Sequence, residues 1–391
     1  MAAANWITAE EAQARLGVKL QTLYAYASRG LVATSSDADD PRRSLYAAED
    51  IMRLALRKSR GRQGAAPTEP ALGWVEPSVT STVAAVSDGR LFYRGRDVAD
   101  FSDFATFEET ARLFWQADDE DPFMGLAPHP QVAVGPDPKA RAFALLAHRS
   151  AQDPAASGRT PAALRREAAS VLTDLVDAVC GQARNGPLHD RLAKAWRVEG
   201  LKTDMIRRAL VLAVDQELNP ASLAVRVAAS TGAPLAASAL AGLATFNGPL
   251  HGGMTAQVSG FMAEARRTSD PRVAAMQRLA QGLDVPGFGH PMFPNGDPRA
   301  RALAGALRYA DDIAGIAEAV EGVTGLAPNL DFALVAMART LGLPGDAPFV
   351  IMMAARTAGW LAHALEQRAM NVQLRPRAQY AAGDADAANA A

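Results

Sequence analysis

Three loops place a candidate acid or base among glycines and prolines, where the backbone can approach a ligand closely. The side chains concerned are His251, His290 and Asp331. Two histidines and a carboxylate in one cleft could bind zinc, form a hydrolytic triad or remove a proton next to a carbonyl group. The three loops are NGPLHGG at 247–253, VPGFGHPMFPNGDPRA at 285–300 and APNLDF at 327–332.

The sequence disfavours the first two of these chemistries. The usual zinc sites need close ligand pairs, and the chain has neither a His-x-x-x-His motif nor a second cysteine. A hydrolytic triad would favour a nucleophile turn such as Gly-x-Ser-x-Gly, which is also missing. Proton abstraction needs a carboxylate base and a donor for the developing enolate oxygen, and the three loops supply both. We therefore predict a proton-transfer site without a metal.

The order and spacing of these loops resemble the citrate synthase family, over roughly residues 75–380. The resemblance implies an all-α fold with a large and a small helical domain, and a homodimer. It also implies acetyl-CoA as co-substrate and no permanently bound cofactor. Three further motifs carry it: GRLFYRGRDVADF at 89–101, AARTAGWLAHALEQ at 354–367 and RPRAQY at 375–380.

The resemblance assigns a role to each catalytic candidate. Asp331 is expected to take a methyl proton from acetyl-CoA, while His251 hydrogen-bonds the thioester carbonyl. His290 is expected to polarise the keto group of a 2-oxo acid. Hydrolysis of the resulting thioester would complete the reaction.

Further residues are expected to bind the two substrates. Guanidinium groups offer a planar fork for carboxylates, and the resemblance implies that Arg375 enters the site from the partner subunit. The residues expected to bind the oxo acid are Gln216, Asn219, Arg299, Arg356 and Arg375, and those expected to bind CoA are Val285, Pro286, Gly287, Phe288, Gly289 and Asn329.

One position departs from the family pattern. The segment VDQELN at 214–219 has Gln216 where the family has a histidine that contacts the oxo acid. Glutamine can donate a hydrogen bond but cannot become a cation. We therefore expect weaker carboxylate binding, or a different oxo acid.

Alanine-rich helical patterns fill most of the chain beyond Trp74. An Asp88-Gly89 turn between β-branched and aromatic residues predicts one hairpin within 81–95. The predicted helices are 106–117, 161–180, 203–215, 221–231, 235–246, 254–267, 271–282, 298–320 and 347–369.

The first 64 residues indicate a separate module. They hold ten Lys or Arg and seven Asp or Glu, net +3, in a chain whose overall charge is −2. Thr8 to Glu11 predict a capping box at a helix start. The segments TAEEAQARLGV and TLYAYASRGL resemble the winged helix-turn-helix DNA-binding domain of the MerR type. The residues expected to contact double-stranded DNA are Gln21, Thr22, Arg29, Arg42 and Arg43.

These patterns predict a domain order along the chain. A linker is expected where Gly, Pro and polar residues replace periodic apolar ones, and the last residues are small and polar. The predicted limits are a helix-turn-helix module at 1–64, a linker at 65–74, a catalytic region at 75–380 with its small domain at roughly 235–335, and a disordered tail at 381–391.

Composition narrows the function classes. With 40 Lys and Arg against 42 Asp and Glu, a chain-wide basic surface for nucleic acid or anionic membrane is excluded. A single cysteine, Cys180, excludes an intramolecular disulfide and indicates a reducing compartment. No run of about 20 apolar residues predicts a membrane span, so a cytoplasmic location is expected.

Several functions remain open at this stage. The first is a citrate synthase-like acyltransferase that joins acetyl-CoA to oxaloacetate or a similar 2-oxo acid, as in the tricarboxylic acid cycle. A 2-methylcitrate synthase or a citryl-CoA lyase would use the same residues. A DNA-binding regulator that senses acyl-CoA or an oxo acid with little or no turnover is the rival from another class.

Overall fold

The computed structural model describes residues 6–16, 23, 26–27, 32–36, 43–48, 50–51, 80–126, 134–268 and 270–375. The chain divides into two compact units, Met1–Val79 and Thr80–Ala391. Among the described residues, no helix has both the length and the apolar character that a bilayer crossing requires.

The first unit combines a helix with a small antiparallel sheet. Helix α1 covers Ala9–Leu16. The Glu11 amide donates to Thr8 Oγ1 over 3.3 Å, and the Thr8 amide donates to the Glu11 carboxylate over 3.4 Å, which confirms the predicted capping box. The strands are β1 Trp6–Ile7, β2 Thr34–Ser36 and β3 Ser44–Ala47, in the order β1-β3-β2.

The DNA-binding assignment stays a prediction. Gln21, Thr22, Arg29 and Arg42 lie outside the described residues, and Arg43 is exposed next to β3. The linker at 65–74 and the tail at 381–391 also lie outside the described residues.

The second unit begins with the predicted hairpin. Strands β4 Ala84–Ser87 and β5 Arg90–Tyr93 pair antiparallel around Asp88 and Gly89. Both turn residues have positive φ angles, 51° and 72°, as a type I′ turn requires. The hairpin prediction is confirmed, and a third strand that was not predicted, β6 Arg96–Asp97, pairs with β5.

Helices form most of the rest of this unit, as the sequence patterns predicted, although the helices at 98–102, 138–152, 188–195 and 330–341 were not among those predicted. The helices of the unit are α2 Val98–Ser102, α3 Phe107–Trp115, α4 Pro138–Gln152, α5 Pro161–Cys180, α6 Leu188–Ala195, α7 Leu201–Ala213, α8 Pro220–Ser230, α9 Leu235–Phe246, α10 Met254–Ala265, α11 Pro271–Ala280, α12 Pro298–Ala306, α13 Asp311–Thr324, α14 Leu330–Leu341 and α15 Ala347–Met370.

Two predictions of local structure were wrong. The predicted helix 298–320 is divided into α12 and α13, because Leu307 adopts an extended backbone and the acidic pair at 311–312 starts a new helix. Asp331 was expected in a loop. It lies instead in the first turn of α14, because Asn329 caps that helix two residues earlier.

The second unit contains two hydrophobic cores. The larger core contains the hairpin and most of the helices. Helix α9 belongs to it, and its Leu235, Leu243 and Phe246 are buried there. The smaller core lies between α10, α11, α13 and α14, and Phe261 and Phe332 are buried there. Cys180 is partly buried at the edge of the larger core. The limits of the small domain, roughly 235–335, stay a prediction. They include α9, which packs in the larger core.

Helix α15 is the central element of the larger core. It packs against α3, α5, α7, α8 and α9. At Gly359 the helix approaches the backbone at the end of α7 so closely that an added Cβ atom would lie 2.4 Å from the carbonyl oxygen of Val214. Only glycine permits this approach.

We predict that Gly359→Ala lowers the free energy of unfolding by about 1–3 kcal/mol, because backbone must shift to admit the methyl group. Gly260→Ala is the matched control, since Gly260 lies inside α10 and an added Cβ atom would meet nothing within 4 Å. That substitution should stabilise the protein by up to about 1 kcal/mol. Urea unfolding measures both changes, and an equal effect of the two would contradict the close approach.

Candidate active site

His251 lies in a tight turn between α9 and α10. The amide of Gly252 donates to the carbonyl of Phe246 over 2.8 Å, and the His251 amide donates to that of Gly248 over 3.0 Å. An added Cβ atom at Gly252 would lie 2.4 Å from the Phe246 ring, so the NGPLHGG pattern encodes this turn. The imidazole packs edge-on against Phe246, with 5.1 Å between the ring centres.

The imidazole of His251 is neutral at physiological pH. Burial and the nearby charge of Arg356 lower its pKa to about 4. Its Nε2 atom is buried and has no hydrogen-bond partner among the described residues. A buried polar atom of this kind is costly unless a ligand satisfies it.

The second and third loops pair with each other. The Gly289 amide donates to the carbonyl of Ala327 over 2.8 Å, and the Asn329 amide donates to that of Gly287 over 2.9 Å. Gly287 and Gly289 have φ angles of 90° and 71°, which disfavour any side chain. Phe288 and Pro328 form an isolated antiparallel bridge. The loops predicted to hold CoA and the base are therefore joined through their backbones.

Within the predicted CoA loop, the residues at 285–288 are buried. The side chains of Val285 and Phe288 belong to the smaller core. Asn329 is nine-tenths buried: its Oδ1 caps α14, and its Nδ2 donates to the carbonyl of Gly289 over 3.0 Å. These side chains therefore shape the loop, and CoA contacts here would fall mainly to the backbone.

His290 is the second neutral imidazole. Burial and the charge of Arg299 lower its pKa to about 4. Its Nδ1 atom accepts a hydrogen bond from the Met292 amide over 3.2 Å. Because Nδ1 is an acceptor in a neutral ring, the proton resides on Nε2, which is then available as a donor.

Asp331 has a carboxyl group suited to proton transfer near neutral pH. Burial raises its pKa to about 6, although the charges of Arg299 and Arg356 oppose the shift. Its amide donates to Asn329 Oδ1 over 3.1 Å, which fixes the residue in the first turn of α14. The same two arginines shift the histidine pKa values, so the structure brings the three predicted catalytic side chains into one electrostatic cluster.

Two buried guanidinium groups form the base of the site. Arg299 is 1% exposed, and its Nε and Nη2 donate to the Asp297 carboxylate over 3.0 and 2.8 Å. Arg356 is 3% exposed. Gln216 Oε1 joins the pair, because it accepts from Arg299 Nη1 over 2.7 Å and from Arg356 Nη2 over 2.8 Å.

Arg356 retains unused donors. Its Nε and Nη1 are buried and have no hydrogen-bond partner among the described residues. The nearest anion is Asp215, whose Oδ1 lies 3.7 Å from Nη1, beyond hydrogen-bond distance. A carboxylate from a ligand would satisfy both atoms.

Asp215 was not identified from the sequence, although it lies next to Gln216. His363 Nε2 lies 3.0 Å from Asp215 Oδ2, and His363 Nδ1 accepts from Arg226 Nε over 3.1 Å. Since arginine can only donate, the imidazole proton is on Nε2 and points to Asp215. His363 is 1% exposed, so the pairing lies in the core. Only the three-dimensional fold could have revealed this pairing, because 148 residues separate the partners.

Two predicted substrate-binding residues have other positions. Asn219 Oδ1 accepts from the amides of Ala221 and Ser222, both over 3.1 Å, and so caps α8. Arg375 is exposed beyond the end of α15. Among the described residues, no group of three or more His, Cys, Asp or Glu side chains is arranged to hold a metal ion.

Comparison with known proteins identifies the class of protein that this fold and site define. The family model for the citrate synthase C-terminal domain matches residues 142–377, more than half of the chain. The chain belongs to the citrate synthase family and is a citrate synthase-type enzyme.

Two relatives from Bacillus subtilis strain 168 illustrate the similarity. The chain is 27% identical to citrate synthase 2 over 350 residues, which is 78% of this chain and 94% of the relative. It is 35% identical to citrate/2-methylcitrate synthase over 191 residues, 46% of this chain and 51% of the relative.

Solved structures show the same fold. Citrate synthase from Thermotoga maritima superposes with a TM-score of 0.62 at 21% identity, covering 81% of this chain and 96% of that one. Citrate synthase from Thermoplasma acidophilum, solved in a ternary complex with carboxymethyl coenzyme A and oxaloacetate, has a TM-score of 0.63 at 20% identity over 79% of this chain and 95% of that one.

We predict that Asp331→Asn raises the free energy of unfolding at pH 8 by up to about 3 kcal/mol. The pKa of Asp331 is raised from 3.8 to about 6 in the folded protein, so folding disfavours the ionised form. The loss of folding stability caused by the ionised carboxylate is absent below pH 4, grows between about pH 4 and 6, and is constant at higher pH. At pH 3.5 the variant should equal the wild type.

Asp297→Asn is the control of opposite sign. Although burial opposes it, Arg299 lowers the pKa of Asp297, so this carboxylate stabilises the fold above pH 4. Its loss should lower stability at pH 8. Urea unfolding between pH 3.5 and 8 measures both variants, and a destabilised Asp331→Asn at pH 8 would contradict the penalty.

Proposed function

We propose that this enzyme condenses acetyl-CoA with oxaloacetate or a similar 2-oxo dicarboxylic acid and hydrolyses the resulting thioester, releasing CoA. The single observation that carries the proposal is the Asp331 carboxyl group, with a pKa of about 6, in one cluster with two neutral histidines and an incompletely bonded arginine. The complex of the Thermoplasma acidophilum enzyme with a CoA derivative and oxaloacetate supports the choice of substrates.

In the first step, the Asp331 carboxylate takes a proton from the methyl group of acetyl-CoA. His251 Nε2, which lacks a partner among the described residues, donates to the thioester oxygen as the enol forms. A neutral imidazole can fill this role, because a preorganised N–H donor stabilises the negative charge that develops on the oxygen. Neither group alone would suffice for so weak a carbon acid.

In the second step, the enol carbon attacks the keto carbon of the oxo acid. His290 Nε2 donates a hydrogen bond to the keto oxygen, which becomes a hydroxyl group; the proton that the hydroxyl gains balances the one that Asp331 removed from the methyl group, so the side chains end the step as they began it. Arg356 Nε and Nη1 bind a carboxylate of the acid, and Arg299 adds positive charge. Water then cleaves the thioester, so that one water is consumed and free CoA and the tricarboxylic acid leave.

The remaining contacts of the substrates follow the same proposal. CoA lies along the backbone of residues 285–289 and near Asn329. Arg375, exposed in this chain, enters the site of a second copy in a homodimer and binds the other carboxylate of the acid.

The rival proposals have less support. A sensor without turnover would need carboxylate-binding arginines but no buried base, and maintaining Asp331 costs stability. A 2-methylcitrate synthase would use the same groups with propionyl-CoA, and one of the two Bacillus subtilis relatives is named citrate/2-methylcitrate synthase. Assays with both thioesters separate these enzymes.

We predict that Asp331→Ala abolishes CoA release from acetyl-CoA while CoA binding, measured by calorimetry, changes less than about threefold. In the wild type, the rate should increase as the pH rises through about 6, since the base must be ionised. Asp312→Ala removes a surface carboxylate and is the control. Free-thiol release measures the rate, and an active Asp331→Ala variant would exclude Asp331 as the base.

We further predict that Gln216→His lowers the Michaelis constant for oxaloacetate. The imidazole can become a cation, so it would add positive charge at the place where Gln216 now contributes a neutral oxygen between Arg299 and Arg356. Gln216→Glu is the opposite control, because a carboxylate here would compete with the substrate and raise the constant. Steady-state kinetics with both variants decide the point, and an unchanged constant in both would remove Gln216 from the oxo-acid site.

A further inference from the structure

The loop at 214–219, between α7 and α8, carries both Asp215 and Gln216. Its position therefore determines where the Gln216 carbonyl meets the two arginines. The loop is short, lies directly after the last turn of α7 and is contacted from two sides, by the hairpin and by α15.

Tyr93, at the end of β5, makes the main hairpin contact. Its side chain is fully buried, and its ring packs edge-on against Phe114 at 4.7 Å. Its hydroxyl oxygen lies 3.1 Å from the carbonyl of Leu212 and 3.3 Å from that of Asp215, and it accepts from the Asp215 amide over 3.2 Å. The hydroxyl thus accepts from the Asp215 amide and shares its single proton between the Leu212 and Asp215 carbonyls, which ties the last turn of α7 to the backbone of Asp215.

Glu217 makes the second hairpin contact. Its Oε1 accepts from the Val86 amide of β4 over 2.6 Å. Its φ angle of 68° is in the left-handed region, which costs a non-glycine residue about 1 kcal/mol. Such a conformation persists only where neighbouring contacts determine it, and the hairpin provides one.

Helix α15 blocks the loop from the opposite side. The missing side chain at Gly359 lets the helix contact the Val214 carbonyl, and His363 holds the Asp215 carboxylate. With both sides occupied, Gln216 has little freedom to move relative to Arg356, which α15 also carries.

We propose that Tyr93 is a positioning residue for oxo-acid binding: its hydroxyl sets the backbone at Asp215 so that Gln216 spans Arg299 and Arg356. The inference rests on the proposed function only in placing the oxo acid at these arginines. The hairpin thereby acts on the site without contacting the substrate.

The experiment compares Tyr93→Phe with Tyr309→Phe in the full chain. Both remove one buried hydroxyl and keep the ring, but the Tyr309 hydroxyl has no hydrogen-bond partner among the described residues. Tyr93→Phe should raise the Michaelis constant for oxaloacetate roughly three- to tenfold, as for one lost hydrogen bond. The constant for acetyl-CoA should change less than twofold. Tyr309→Phe should leave both constants unchanged.

Hydrogen–deuterium exchange gives a readout that does not depend on activity. Tyr93→Phe should accelerate exchange in the peptide that covers 212–219, and Tyr309→Phe should not. Accelerated exchange with unchanged oxaloacetate kinetics and affinity would make the hydroxyl merely structural and overturn the proposal. Unchanged exchange would overturn it as well.

A second pair of variants guards against poor folding of Tyr93→Phe. Glu217→Gln keeps an acceptor for the Val86 amide, whereas Glu217→Ala removes it. The alanine variant should show the same selective rise in the Michaelis constant for oxaloacetate, whereas the glutamine variant should keep the wild-type constant. Equal constants in the two variants would overturn the role of the hairpin. If the wild type neither binds nor turns over any oxo acid, the proposed function fails instead, and exchange at 212–219 still tests the hydroxyl.

Discussion

Two like charges buried close together are the constraint on which the site depends. Burial and the charge of Arg299 lower the pKa of Arg356, whereas Asp297, against the effect of burial, raises that of Arg299. The two groups are compensated differently: Arg299 has a bidentate carboxylate, and Arg356 has only a distant anion. A neutral carbonyl, that of Gln216, is shared between them. The positive potential is therefore concentrated at Arg356, where an anionic ligand completes the balance.

This potential explains why the titrating groups around it are suited to general acid–base chemistry. Together with burial, which is the larger cause, it lowers the pKa values of His251 and His290, and it opposes the rise that burial causes in the pKa of Asp331. A pKa of about 6 leaves Asp331 largely ionised at pH 7 and still basic enough to accept a proton. The surrounding fold tolerates this arrangement because two well-packed cores supply the stability that the polar cluster does not.

Local motifs could be predicted from the sequence, whereas contacts between segments far apart in the chain could not. Glycine and proline in the surrounding loops indicated His251 and His290, and the Asp88-Gly89 turn indicated the hairpin, because these signals are local in the sequence. Helix periodicity continued through Leu307, where the chain changes direction, so it could not mark the break between α12 and α13. The partners of Gln216 and Asp215 join segments far apart in the chain, and no spacing rule reports such contacts. Asn219 caps a helix, and the proline that follows it in the sequence is a local signal for that role.

The two hydrogen-bonding roles of Asn329 restrict which side chains could replace it. Its oxygen accepts from the amides of Asp331 and Phe332, while its nitrogen donates to the carbonyl of Gly289. Aspartate would keep the cap but lose the donor and add a charge beside the base; serine would be too short to serve both partners. Among the twenty side chains, only this short amide combines the two functions at that length. Asn329 therefore joins the loop that precedes His290 to the first turn of the helix that carries Asp331, so one side chain links the backbones of two candidate catalytic residues.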